Sequence, residues 1–206
     1  MAVELKQYDI KNAAAFKKTT EKWGELSNMC AGFPVVVNNV PIKSAEALYQ
    51  ACRFPNHPDI QKKILEQNSP MTAKMVGKPH LDKTREDWEQ VRVLIMKWVI
   101  RVKLAQNMER FSSVLQGTQD MPIVELSNKD DFWGAKPQGD DIYVGTNALG
   151  RLLMELREQL FAHGDARFLS VAPLRIKDFS LYGSPIDFVH ASQAYIENKT
   201  QIDFFD

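Results

Sequence analysis

The chain has 206 residues, of which 44% are apolar and 25% are charged. That composition is ordinary for a globular protein of one domain, or of one domain with an appendage. Basic and acidic residues balance at 26 each, which argues against coating of DNA through the overall field but allows a local basic patch around a phosphate-bearing ligand. We expect a cytoplasmic protein without membrane contact, because no leader peptide and no apolar run of about 20 residues is visible.

The cysteines and histidines do not form a recognisable metal site. Cys30 and Cys52 lie outside any C-x-x-C pair, and the four histidines are scattered, whereas structural zinc sites need clustered ligands. The P-loop and GxGxxG patterns of nucleotide-binding folds are also missing. We therefore expect two reduced, buried thiols, no metal and no cofactor.

Local patterning predicts a mainly α protein with minor β, an α+β fold. Helices are predicted, in chain order, over residues 44–53, 58–67, 69–77, 85–106, 108–116, 147–163 and 191–198. Extended segments are predicted over residues 33–37, 40–42, 123–126, 168–171 and 186–189. Residues 1–22 are too weakly patterned for a prediction.

Turn and cap residues support this assignment. Asn38-Asn39 predicts a tight hairpin, because asparagine tolerates the positive φ that such a turn needs. Ser44, Thr84 and Asn147 each precede a helical pattern and are predicted to cap the helix that follows. The helix over 85–106 should bury the apolar stripe formed by Trp88, Val91, Ile95, Trp98, Val102 and Ala105.

Glu46 is the first candidate for chemistry. It lies on the helix over 44–53 with Gln50 one turn on and Arg53 further along the same face. The pattern fits a solvated Glu–Gln–Arg face. It also fits a carboxylate held in a cleft and oriented by Gln50.

The second candidate is the polar segment 127–146, predicted as one long loop of the kind that often carries function. Trp133 can stack on a base or ribose and Gly134 lets backbone approach a ligand, although a loop tryptophan can equally be a core plug. Asn147 and Gly150 open the next helix, whose N-terminus would favour phosphate, or Asn147 is a plain cap.

Further candidates have weaker support from pattern alone. Ser27 and Asn28 lie in a polar turn, Trp88 begins a helix, and Lys103 lies just outside the apolar stripe. Each also fits an ordinary structural role: a turn, a core aromatic and a surface lysine.

These segments together resemble the NADAR (YbiA-like) family. The resemblance runs from about residue 23 to 160 and several motifs occur in the family's order. They are GELSN at 24–28, SAEALYQACRF at 44–54, SPMTAKMVG at 69–77, DWE at 87–89 with Met96, Arg101 and Lys103, DDFWG at 130–134, and GTNALGRLLMELREQ at 145–159. Five positions differ from the family pattern and bear on substrate choice: Leu26, Ala47, Arg53, Asp131 and Ala148.

The resemblance implies an orthogonal helical domain with a small β-hairpin or sheet, and an enzyme that hydrolyses ribose–nitrogen bonds. It assigns the catalytic carboxylate to Glu46, which would stabilise an oxocarbenium-like ribose. Asp130 is a secondary acid, base or orienting group, and Lys103 either neutralises phosphate or attacks ribose C1 as an amine. It assigns substrate binding to Ser27, Asn28, Gln50, Trp88, Trp133, Gly134, Asn147 and Gly150.

The implied substrate is a ribose-phosphate nucleobase adduct. ADP-ribose on the amino group of guanine, in DNA or nucleotides, is preferred, with a cognate DNA-modifying toxin as a predicted partner. A ribosylaminopyrimidine phosphate of riboflavin synthesis is the alternative. A non-catalytic ADP-ribose or NAD-binding module and a helical interaction domain are the alternatives of other classes.

The predicted domains are a NADAR/YbiA-like domain over 1–164 and a C-terminal extension over 165–206. The extension resembles nothing in the family pattern. It either shapes the site for a larger substrate such as DNA or packs on the domain as an extra layer.

Overall fold

The structure is a computed structural model that describes residues 5–203, with side chains described over 5–199. Its α-helices are α1 Ala45–Ala51, α2 Pro58–Leu65, α3 Pro70–Gly77, α4 Trp88–Gln106, α5 Met108–Gly117, α6 Ala148–His163 and α7 Gln193–Asp203. Its strands are β1 Lys6–Asp9, β2 Ala14–Phe16, β3 Val35–Val37, β4 Val40–Ile42, β5 Ile123–Glu125, β6 Lys136–Pro137, β7 Ile142–Gly145, β8 Ser170–Val171, β9 Ser180–Leu181, β10 Ser184–Pro185 and β11 Val189–His190. The predicted α+β class is confirmed. Over residues 5–203, no helix is long and apolar enough to cross a bilayer.

The chain forms two compact units. The first contains the described part of Met1–Ser27 together with Phe111–Gly164, and the second contains Asn28–Arg110 together with the described part of Asp165–Asp206. The C-terminal residues therefore cluster with Asn28–Arg110. The predicted domain boundary at residue 164 stays a prediction.

The first unit combines small sheets with helix α6. Strand β7 lies between β1 and β6, antiparallel to both, and β2 pairs in parallel with β5. Helix α6, which was predicted over 147–163, packs on β5 and buries a leucine stripe. Its buried leucines are Leu149, Leu152, Leu153, Leu156 and Leu160. Gly164 ends the helix at φ +66°, a conformation that glycine adopts without strain.

The second unit begins with the predicted hairpin. Strands β3 and β4 pair with Val37 opposite Val40, and Asn38 and Asn39 form the turn at φ 50° and 61°. Both turn residues lie in the left-handed region that a two-residue hairpin requires, so this prediction is confirmed. Ser44 then caps α1 by accepting a hydrogen bond from the Ala47 backbone N–H at 3.2 Å, as predicted.

Helix α4 is the central element of the second unit. All six residues of its predicted apolar stripe are buried. The C-terminal segment packs on this unit, and side chains of α4 donate hydrogen bonds to the backbone of that segment. The Trp98 indole N–H donates to Ala172 O at 3.0 Å, and Gln106 Nε2 donates to His190 O at 3.1 Å.

Gln61 of α2 makes the most extensive of these contacts. Its side chain is fully buried; Nε2 donates to Ala51 O at 3.2 Å and to Ser180 O at 3.1 Å, and Oε1 accepts from Tyr182 N at 2.7 Å. One amide therefore joins α1, α2 and the turn after β9. A buried amide with these three bonds fixes the C-terminal segment against the helices.

Two local predictions are wrong. Residues 127–146 are not one loop, because they include β6 and β7. Thr84 does not cap the long helix, which begins at Trp88 after Asp87, and no side-chain cap bond forms there. Its hydroxyl instead accepts a hydrogen bond from Arg53 Nε at 2.9 Å.

Candidate active site

Glu46 lies in the first turn of α1 and is only 7% exposed. Its Oε1 accepts a hydrogen bond from Gln50 Nε2 at 2.8 Å, one helical turn on, and its backbone N–H donates to Asn28 O at 3.2 Å. Gln50 is also 7% exposed. The reading of this helix face as a solvated surface is therefore wrong for both residues.

Burial dominates the electrostatics of this carboxyl. Desolvation raises the pKa of Glu46, while the Gln50 hydrogen bond and the positive charge of Lys74 act in the opposite direction without cancelling it. Among the described residues, Oε1 has a hydrogen-bond partner and Oε2 has none. A carboxyl of raised pKa with one fixed and one unpaired oxygen is suited to proton transfer and to stabilising nearby positive charge.

Asn28 offers a second polar group beside α1. Its side chain is 3% exposed; Nδ2 donates to the Met96 sulfur at 2.9 Å, and within the described residues Oδ1 is buried without a donor. Sulfur is a weak acceptor, and a buried carbonyl oxygen without a partner costs about 1–3 kcal/mol. A ligand with an N–H or O–H group would supply the hydrogen-bond donor that this oxygen lacks.

An aromatic and cationic cluster lies next to Glu46 on α1 and α4. The rings of Tyr49 and Trp88 are 5.2 Å apart, and the Arg53 guanidinium lies 4.9 Å from the Trp88 ring centroid. Burial, and then the charge of Glu46, raises the pKa of Tyr49, whereas Arg92 and Arg53 lower it. Trp88 is 6% exposed, which fits the core aromatic that the pattern allowed, and its predicted binding role stays a prediction.

Two of these neighbours were not predicted from the sequence. Arg92 lies one turn from both Trp88 and Met96 on α4, so helical spacing could have suggested it. Lys74 is on α3, and no local pattern relates it to Glu46, because the packing of α3 on α1 is a tertiary contact.

Lys103 is not a surface residue. It is completely buried on α4, and its ammonium lies 4.4 Å from the Phe33 ring centroid. Met96 and Lys103 share one face of α4, separated by two turns or about 10 Å of helix. A lysine must be desolvated to act as an amine nucleophile, and the burial of Lys103 meets that condition. The choice between that role and phosphate binding stays a prediction.

The loop before β6, in the first unit, is organised by Asp130. Its Oδ1 accepts from the backbone N–H groups of Phe132 and Trp133, both at 2.9 Å. The Phe132 and Trp133 rings pack edge to face at 5.1 Å. Asp130 therefore has a structural role in orienting Trp133, while its predicted acid or base role and the stacking role of Trp133 stay predictions.

Two glycines that the sequence assigned to ligand contact pack against the chain itself. A Cβ on Gly134 would lie 2.4 Å from Glu125 O, and one on Gly150 would lie 2.1 Å from Ile123 O. Both distances are far below van der Waals contact. Both positions need glycine because the backbone there lies directly against strand β5. The predicted binding roles of the two glycines stay predictions.

The start of α6 is likewise occupied. Asn147 is fully buried at φ 49° and does not cap the helix; Nδ2 donates to Ile123 O at 2.8 Å, and Oδ1 accepts from Glu125 N at 3.1 Å. The N–H groups of Ala148 and Leu149 donate to Phe132 O and Trp133 O. The predicted cap is therefore wrong. Two backbone N–H groups at the start of the helix are already paired, and the predicted phosphate-binding role of this terminus stays a prediction.

Ser27 ends a short 3₁₀ turn in the first unit. It is 5% exposed, and its N–H donates to Gly24 O at 3.1 Å. This contact fits the structural turn that the pattern allowed, and its predicted binding role stays a prediction. Cys30 and Cys52 are free and buried, as expected. The part of the chain with described side chains holds no group of three or more metal-ligating side chains.

Comparison with known proteins identifies the family of this chain. The family model of the NADAR domain matches residues 15–161. The chain belongs to the NADAR family. The match includes Glu46 and the whole α1–α4 segment, and it ends within α6.

Relatives with names agree with this assignment. N-glycosidase YbiA of Escherichia coli is 33% identical over 145 residues, which cover 70% of this chain and 86% of that protein. Its solved NMR structure superimposes with a TM-score of 0.61 at 31% identity, over 72% of this chain and 84% of the other. The predicted YbiA-like fold is therefore confirmed.

Other NADAR relatives are named for riboflavin biosynthesis. One from Vibrio vulnificus is 31% identical over 175 residues, covering 82% of this chain and 45% of that protein. A chloroplastic protein from Zea mays is 30% identical, covering 76% of this chain and 26% of that protein. The segment matched by this chain is thus only a part of each of these longer relatives.

Proposed function

We propose that this protein is an N-glycosidase that hydrolyses the bond between ribose C1 of ADP-ribose and the amino group of guanine. The observation that carries the proposal is the buried carboxyl of Glu46, held by Gln50 on a rigid helix. Membership of the NADAR family and similarity to a protein named N-glycosidase support the reaction class.

The chemistry follows from the bond that breaks. Departure of the guanine nitrogen with the C1–N electron pair leaves positive charge shared between ribose C1 and the ring oxygen. An ionised Glu46 stabilises that charge and accepts a proton from the attacking water, whose oxygen forms the new C1–O bond. The leaving nitrogen takes up a proton from solvent and departs as the free amino group, and Glu46 then releases the proton of the water to solvent and is ionised again.

Gln50 and Asn28 would position this reaction. Gln50 holds Oε1 of Glu46, which would leave Oε2 for the reacting atoms. The Asn28 carbonyl oxygen, which is buried without a donor among the described residues, would accept a hydrogen bond from a ribose hydroxyl or from the amine. Both contacts favour one orientation of the sugar over the carboxylate.

A ribosylaminopyrimidine phosphate is the second candidate substrate. It presents the same ribose C1 joined to a ring amine, and relatives named for riboflavin biosynthesis favour it.

Action on guanine adducts would reverse the modification made by a DNA ADP-ribosyltransferase, so we propose such a toxin as a partner. A non-catalytic binding module would bind the same ligands without turnover.

The test is product analysis with both substrates. Purified wild-type protein is incubated with guanine-ADP-ribosylated oligonucleotide and, separately, with the ribosylaminopyrimidine phosphate. We expect free ADP-ribose and intact guanine from the first. Cleavage of the second substrate alone would replace the proposed substrate, and cleavage of neither, with ligand binding retained, would favour the binding module.

A further inference from the structure

Helix α3 carries an exposed stripe that its packing does not explain. Its buried residues are Pro70, Ala73 and Gly77, and a Cβ on Gly77 would lie 3.3 Å from the Phe54 ring. Two large apolar side chains face away from that core: Met71 is 56% exposed and Met75 is 52% exposed. Exposed apolar side chains that cluster on one face commonly mark an interaction surface.

Two lysines complete the stripe. Lys74 and Lys78 are exposed, and Lys78 continues the helical backbone just beyond α3. At 3.6 residues per turn, Met71, Lys74, Met75 and Lys78 lie within a sector of about 100° on one side of the helix. The surface is therefore mixed, with thioethers and ammonium groups alternating along the helix axis.

The stripe lies on the helix that packs against α1, which carries Glu46. Lys74 borders the buried face of α3, which packs on α1, and its charge acts on Glu46. The four residues span about 10 Å along the helix, the length of two or three nucleotides of one strand. Thioethers contact aromatic faces favourably, and lysines neutralise phosphates.

We propose that Met71, Lys74, Met75 and Lys78 form a docking edge for the nucleic-acid strand that carries the modified base. The inference rests on the proposed function and deepens it, because it selects a polymeric substrate over a free nucleotide. The neutral bases contact the two methionines, and the flanking phosphates contact the two lysines. Because the chain carries no net charge, the two lysines of this stripe would supply a local attraction for phosphate.

Binding of unmodified single-stranded DNA tests the edge without relying on catalysis. The probe is a short fluorescein-labelled oligonucleotide, with affinity measured by anisotropy over a range of salt concentrations. Met71→Ser with Met75→Ser should weaken binding about tenfold. Lys78→Gln should reduce the dependence of log affinity on log salt by about 0.7. Lys63→Gln, an exposed lysine on α2, is the matched control and should change neither quantity.

Turnover separates the edge from the proposed function. If both hold, the methionine variant raises KM about tenfold for the ADP-ribosylated oligonucleotide and leaves the corresponding mononucleotide unchanged. Equal affinity for the probe in the wild type, Lys78→Gln and the methionine variant would overturn the docking edge. Loss of probe binding in the variants, with no cleavage of the modified guanine by the wild type, would support the edge and refute the function.

Discussion

Replacing Glu46 with glutamine should stabilise the folded protein, by an amount that depends on pH. The carboxyl is buried, and burial raises its pKa above the ordinary value for glutamate. The folded state therefore binds this proton more tightly than the unfolded chain does. The free energy of unfolding of the wild type must then fall as pH rises from the unfolded pKa through the folded pKa.

The size of the effect follows from that linkage. The stability gain of Glu46→Gln should be absent below the unfolded pKa, and should grow by about 1.4 kcal/mol for each pH unit between the two pKa values. Above the folded pKa it should be constant. Glutamine can still accept the Gln50 hydrogen bond through its carbonyl oxygen, so packing is retained.

Urea unfolding of wild type and variant, from about pH 4 to about pH 9, measures this difference. Glu86→Gln removes the same charge from an exposed position and is the control. Its stability difference should vary little with pH. A Glu46→Gln difference that does not vary with pH, or that becomes destabilising at high pH, would refute the reasoning about burial.

Three further changes test other contacts. Gln61→Leu removes three hydrogen bonds from a fully buried amide. This change should lower the free energy of unfolding, measured in urea, by about 3–5 kcal/mol. A loss below about 1 kcal/mol would show that the C-terminal segment is not fixed by Gln61. Gln50→Leu removes the hydrogen bond that lowers the pKa of Glu46, so the acid limb of the pH–rate profile should move to higher pH. An acid limb at the wild-type pH would show that this hydrogen bond does not tune the catalytic carboxyl. Gly150→Ala places a Cβ 2.1 Å from a carbonyl oxygen and should lower the free energy of unfolding by about 1–3 kcal/mol. Gly139→Ala is the control, because a Cβ there meets nothing within 4 Å and should leave the stability unchanged. Equal melting temperatures of the two variants would contradict the packing around Gly150.

The fold could be predicted where local chemistry decides the structure. The Asn38-Asn39 turn and the Ser44 cap depend only on neighbouring residues, and both occur as predicted. Thr84 and Asn147 have equally good cap chemistry, but tertiary partners compete for their side chains. Strand β7 was missed because it has only four residues within a polar segment, and its longer pairing is with β1, which lies far away in the sequence.

The candidate site could be predicted in its residues but not in its environment. The motif resemblance pointed to Glu46 and Gln50, yet helical periodicity alone favoured an exposed face for them. Their burial depends on packing against α3 and α4, which no local pattern encodes. The same limit explains Lys103, whose position beside the apolar stripe of α4 suggested a surface residue although it is completely buried.

The single-turnover rate of Glu46→Gln tests the catalytic role of this carboxylate most directly. The measured quantity is ribose–nitrogen cleavage of whichever of the two substrates the wild type hydrolyses, with substrate affinity measured in parallel. We predict a rate lower by a factor of about 10² to 10⁴, with affinity changed little. Cleavage at the wild-type rate by the folded variant would contradict the assignment of Glu46 as the catalytic group.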